Sequence, residues 1–357
     1  MPPQRDVHGT PDDMMTVIVS PVGADAALRT ALEDLRLGRY AATRDLLGMT
    51  GRHWALRTSR SQLLAAGGEP GVFKMWRDEE PESPDAAMMW ARVLSRAAVD
   101  AFRSGKSEHI VSRATRMAAQ ACQRASDLVP ACPVPWIDRL QLTQLPFRPE
   151  TFDPHAPARP HPWDMLPAED VRRHGMYHRG PWPLLHEADI RDPGSREAHH
   201  RMRQTLMIHS GLAAAMDFSF WLVSKRLFAP ELLMLPLYSI MDKYRREHGH
   251  GQVGALHFWQ RAQVGHYACE AYDRWFAAIP ADEYPWLSMA DLSHLAHALV
   301  ATGENQRAAA VFRAMGPYAT AQPWQDINAS LGRSRDWRDW FVTTRAATLR
   351  RHPAPAA

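Results

Sequence analysis

Cysteine is scarce in this chain: Cys122, Cys132 and Cys269 stand alone among 357 residues, an odd number with no C-x-x-C pair. That leaves neither a disulfide framework nor a cysteine-built zinc knuckle, and makes a reducing cytoplasm the expected location. Long apolar runs are missing as well. Stretches such as FSFWLV fall far short of the roughly 18 residues needed to cross a bilayer, and MMTVIV near the N-terminus is shorter than the ~7–15 residues of a signal-peptide core. No membrane partner is expected. Nor is there an excess of one charge: 42 Lys and Arg against 39 Asp and Glu give a net charge of +3, interspersed along the chain, so no electrostatic partner is dictated. The nucleophile elbow G-x-S-x-G does not occur either.

Proline, by contrast, is abundant and uneven. Thirteen of the 28 prolines fall between Pro130 and Pro193, a density through which no long regular helix runs. This predicts an N-terminal segment over 1–22 that is partly disordered, helical repeats over 23–130, a proline-rich insertion or linker over 131–193, further helical repeats over 194–351, and a disordered tail over 352–357.

Leu28, Leu32 and Leu35 share one helix face, and LGRYAATRDLL then breaks at Gly38 and starts a second amphipathic helix ending near Leu47. MAAQACQRASDLVP places Ala118, Cys122 and Ala125 on one face, small enough for two helix backbones to approach, before Pro130 stops the helix. LVATGENQRAAAVFRAMG repeats the pattern with Gly303, Ala308 and Phe312. The three stretches resemble tetratricopeptide helix pairs, with Thr43 in place of the first alanine, Asn305 in place of the tyrosine, and no glycine in the middle unit. PVPWIDRL, the proline-rich spacer and REAHHRM further resemble an actinobacterial family of tetratricopeptide-like fold, over residues 100–280. Helical periodicity makes the expected fold all-α, and the resemblance implies a solenoid of helical hairpins, which the proline-rich irregular insertion interrupts.

Periodicity after Asp192 predicts helices through about Ile208 and then over 212–227, 231–247, 252–278, 288–302, 304–315 and 335–351, with Met15–Ser20 as the single strand. Ser83-Pro84-Asp85 predicts an earlier helix start. Pro-Trp occurs five times, at Trp136, Trp163, Trp182, Trp286 and Trp324. Proline suits a first helical turn and the indole can anchor it; the alternative is a row of exposed aromatics gripping a ligand.

Two adjacent histidines and a carboxylate in DPGSREAHHRM raise the question of a metal site. Glu197 and His200 have the i, i+3 spacing of a helical ligand pair for Fe, Mn or Zn, with His186, Glu187, Asp189 and Asp192 just upstream; Glu247 and His250 repeat the spacing. The competing reading is a solvated, charged helix start. Gly249-His250-Gly251-Gln252-Val253-Gly254 satisfies G-x-G-x-x-G, yet DKYRREH before it reads as helix, which predicts an interhelical turn and no dinucleotide site. In SRDWRDWFVTTRAATLRR, Trp337, Trp340, Phe341 and Thr344 form a core-facing stripe, so nucleic acid is not an expected partner.

The expected function is binding of a protein or peptide partner through a concave helical surface, with no cofactor. Trp163, Trp182, His186, Arg196 and His200 are the candidate contacts. The alternative is a metal-dependent enzyme using Glu197 and His200.

Overall fold

The computed structural model describes residues 16–145, 178, 180–224, 229–248 and 254–353. Helices account for nearly all regular structure among them, so the chain is all-α, as the periodicity predicts. It divides into two compact units, Asp25–Leu235 and a second composed of Met1–Ala24 with Pro236–Ala357. Neither 130 nor 193 is a boundary between them.

The first unit carries ten α-helices and a 3-10 helix (Pro230–Met234) among its described residues: α1 (Ala26–Arg36), α2 (Ala41–Thr50), α3 (Trp54–Gly67), α4 (Pro70–Glu79), α5 (Pro84–Arg103), α6 (Glu108–Leu128), α7 (Val134–Leu142), α8 (Trp182–Arg191), α9 (Arg196–Ser210) and α10 (Leu212–Ser224). Asp25 caps α1 by accepting from the Leu28 N–H at 3.0 Å, and Leu28, Leu32 and Leu35 are buried as their spacing predicts. Gly38, at φ +78°, turns the chain from α1 into α2, a conformation that a side chain would strain. Ser83 caps α5 and Pro84 occupies its first turn, also as predicted.

α5 and α6 are joined by a short turn and pack along their length. Ala87, Ala91, Cys122 and Ala125 form one buried cluster of the pair and Ala98, Val111 and Ala118 belong to the next. Small side chains here bring the two backbones close, the role the sequence assigns to MAAQACQRA.

The proline-rich stretch holds more order than its composition suggests. α7 and α8 both lie within it, because their prolines fall at helix starts: Pro133 and Pro135 at α7, Pro181 and Pro183 at α8. A missing N–H removes no intrahelical bond there. Ile137, Leu140, Trp182, Leu185, Met202 and Phe218 then join α7 to α8, α9 and α10 in a common core. Residues 146–177 of the stretch lie outside the described residues.

The second unit contains α11 (Leu235–His248), α12 (Ala255–Trp259), α13 (Ala262–Arg274), α14 (Met289–Ala301), α15 (Asn305–Met315), α16 (Trp324–Ser330) and α17 (Trp337–Arg351). The helix expected over 252–278 is α12, α13 and a 3-10 turn at Phe276–Ala278, and α16 was not anticipated because seven residues are too few to show a period. Gly303, at φ +84°, repeats between α14 and α15 the turn made by Gly38. Phe312, Trp324 and Phe341 are fully buried around His297, whose ring lies edge-on to Trp259, Trp324 and Trp340 at centroid distances of 4.6, 5.2 and 5.9 Å. The expected strand is two residues long: β1 (Ile18–Val19) pairs in parallel with β2 (Tyr318–Ala319). Met15 lies outside the described residues.

Candidate functional site

Ser195 precedes the helix that carries REAHHRM, as the sequence suggests, but the first turn of α9 is not solvated. Glu197 is 4% exposed. Its two carboxylate oxygens accept a fork from Arg92 of α5, Nη1 and Nη2 each at 2.9 Å, and Oε1 also accepts from Arg201 Nη2 at 3.0 Å. Such bidentate, charge-assisted bonds are among the strongest side-chain contacts available to a buried carboxylate. Burial alone would raise the Glu197 pKa; the guanidiniums of Arg92 and Arg201 outweigh it and hold the group below the usual glutamate value.

A second carboxylate shares Arg92. Asp138 of α7 is fully buried, and its Oδ1 lies 3.3 Å from Arg92 Nη1 with no hydrogen bond to either oxygen. Burial, with Glu197 adding to it and Arg92 opposing it, pushes the Asp138 pKa up to about 7. One guanidinium therefore serves a glutamate held in its charged form and an aspartate that burial pushes toward its neutral form. Three helices are held by the result, since Arg92, Asp138 and Glu197 come from α5, α7 and α9.

For metal chemistry this geometry is unsuitable. A dication at Glu197 would have to displace Arg92 and Arg201 from oxygens that they already occupy, beside two positive charges. His200 is half-buried, with Nε2 at 3.2 Å from Gln204 Nε2. Among the described residues no group of three or more His, Cys, Asp or Glu side chains converges to hold a metal ion. His199 turns instead into the core, its Nδ1 2.9 Å from the Ser195 carbonyl oxygen and its ring stacked on Phe218; burial lowers its pKa.

The proposed partner contacts separate. Trp182, expected as an exposed anchor, is 5% exposed and packs edge-on to Phe218 at 5.8 Å, so it is a core anchor and offers no surface to a partner. His186 is exposed on α8, while Arg196 is half-buried at the start of α9. Trp163 lies outside the described residues, as do His250 and all of the G-x-G-x-x-G stretch except Gly254, which precedes α12 at φ +99°. Of the other Pro-Trp pairs, Trp324 is fully buried at the start of α16, whereas Trp286 ends a 3-10 turn 45% exposed.

A surface cleft of about 330 Å³ opens instead where α4, α5 and α6 meet. Ala87 and Ala121 form part of its lining, Pro81 lies at the end of α4, and Trp90 is half-buried beside them. The Arg77 guanidinium stands 4.8 Å from the Trp90 ring centroid and donates from Nε to Asp78 at 2.9 Å. Arg124 completes the lining and bonds Glu82 at 3.0 Å. The indole and the apolar wall suit an apolar or aromatic side chain, while Asp78, which also lines the cleft, and Glu82 hold the two guanidiniums.

No family model and no curated protein matches the chain.

Neither Arg92 nor Asp138 was singled out from sequence, although both carry a readable signal. Arg92 interrupts the apolar run AAMMWARVL and Asp138 interrupts VPWIDRL. A charge on the core face of an amphipathic helix implies a buried partner. The cleft had no comparable signal, because Arg77, Trp90 and Arg124 come from three helices at unrelated spacing.

Proposed function

We propose that this chain is a tetratricopeptide-like protein that binds a protein or peptide partner through the helical hairpins of residues 25–235. The cleft of Arg77, Trp90 and Arg124 supports this reading: a half-buried indole and two partly exposed guanidiniums surround a small apolar floor. Tryptophan and arginine so placed are the side chains that most often dominate binding energy. Helical hairpins with glycine turns, such as α1–α2, are the units from which concave repeat surfaces are built. Metal-dependent chemistry on Glu197 and His200 draws no support, since Arg92 and Arg201 occupy the carboxylate.

A selection of random displayed peptides against the purified chain tests the proposal. Peptides should be enriched on the wild-type protein and lose at least about tenfold in affinity on Trp90→Ala, a truncation typical of an interface anchor. Circular dichroism of the variant checks that it folds. A selection that enriches no peptide above the background of an unrelated helical protein sinks the binding reading.

A further inference from the structure

The outer face of the α5–α6 hairpin is apolar along most of its length. On α6, Ile110, Ala114, Met117 and Ala121 follow at i, i+4, i+7 and i+11 and so share one stripe, with Ile110 48% and Met117 43% exposed. Across the seam on α5, Trp90, Leu94, Ala97 and Ala101 have the same spacing. Leu94, Ala101 and Ala114 are half-buried against the shared cluster of Ala98, Val111 and Ala118. Ala121 and Trp90 both reach the cleft, which closes one end of the strip. Phe102, 40% exposed, lies near the other.

The charge around this strip is asymmetric. Arg103, Lys106, Arg113 and Arg116 stand at and beyond the α5–α6 turn and form no ion pair among the described residues, with Glu108 as the acid among them. Arg96 is the contrasting case, paired with Asp100 at 3.3 Å. Cations that are unpaired among the described residues, beside exposed apolar side chains, complement an anionic amphipathic partner.

We propose that this strip docks an acidic amphipathic helix of a partner protein. Its apolar side chains would lie along Leu94, Ala114, Met117 and Ile110, and its carboxylates would face Arg103, Lys106, Arg113 and Arg116. A groove between two helices takes a third helix by its i, i+3, i+4, i+7 face, and the 21 residues of α6 span about 31 Å, enough for some six turns of such a ligand. The inference rests on the binding reading above and names the site and chemistry of the partner.

The test repeats the displayed-peptide selection on two surface variants, Met117→Glu and the double variant Arg113→Glu/Arg116→Glu, both at positions outside the buried core. Enriched peptides should carry net negative charge and helical apolar spacing, bind more weakly as salt rises, and lose about tenfold or more in affinity on each variant. Peptides that bind wild type and both variants alike overturn the docking strip while leaving the binding reading standing; an empty selection removes both. Two further results would overturn the assignment of the occupant. One is a dimer in sedimentation velocity that Met117→Glu dissociates, which makes the occupant a second copy of the chain. The other is a 20-nucleotide single-stranded DNA probe that competes fully with the selected peptides.

Discussion

Arg92 Nη1 lies 2.9 Å from Glu197 Oε1 and 3.3 Å from Asp138 Oδ1, so a single buried guanidinium faces two carboxylates from two other helices. The three side chains are 3%, 4% and 0% exposed, respectively. Removing the shared cation leaves two buried carboxylates without it. Arg92→Ala is expected to cost about 3–5 kcal/mol, read as a lowered midpoint in urea unfolding, whereas the triple replacement Arg92→Met/Asp138→Leu/Glu197→Leu should recover most of that loss. Equal losses in the two variants would show that the network contributes through shape and not through charge.

Asp138 gives this network a pH dependence of definite sign. Its folded-state pKa of about 7 lies above the ordinary carboxylate value of 3.8, so the folded state holds the proton more tightly. Stability from this group is therefore greatest below the unfolded value and is lost as pH rises through about 7. Asp138→Asn should flatten the decline in melting temperature across that interval, and a slope identical to wild type would refute the assignment.

His297 and His294 act in the opposite direction. Burial lowers their pKa values to about 3 and about 4, below the ordinary 6.5, with the His294 charge adding to the effect at His297. Their contribution is present above the unfolded value and is lost as pH falls through the folded ones. Acid unfolding monitored by tryptophan fluorescence should thus begin at lower pH in His297→Leu than in wild type.

Two Pro-Trp pairs of the second unit predict opposite outcomes. Trp324 is fully buried against Phe312 and Phe341, and Trp324→Ala should cost about 3–5 kcal/mol in urea unfolding. Trp286 is 45% exposed, and Trp286→Ala should stay within about 0.5 kcal/mol of wild type.

Helices with one apolar stripe were legible in the sequence: Leu28, Leu32 and Leu35 of α1, or Trp337 and Phe341 of α17, declare their buried face by spacing alone. The proline-rich stretch misled because proline density forbids helix interiors and says nothing against helix starts, which is where Pro133, Pro135 and Pro181 sit. In DPGSREAHHRM the spacing of Glu197 and His200 marks a helix, and both residues lie on α9. What occupies Glu197 depends on Arg92, 105 residues earlier, and no local pattern encodes that pairing. The cleft was invisible for the same reason, while the apolar face of α6 was present in the sequence as Ile110, Ala114, Met117 and Ala121 and could have been counted.

The short parallel ladder of β1 and β2 has a bearing on synthesis. Ile18 pairs with Tyr318, so the two halves of the ladder are 300 positions apart, the difference between those numbers, with all of Asp25–Leu235 between them. At about 5–20 residues per second a ribosome takes about 15–60 s to traverse that distance. Through that interval Ile18 and Val19 have no mate, and the ladder can form only after all of Asp25–Leu235 has been made.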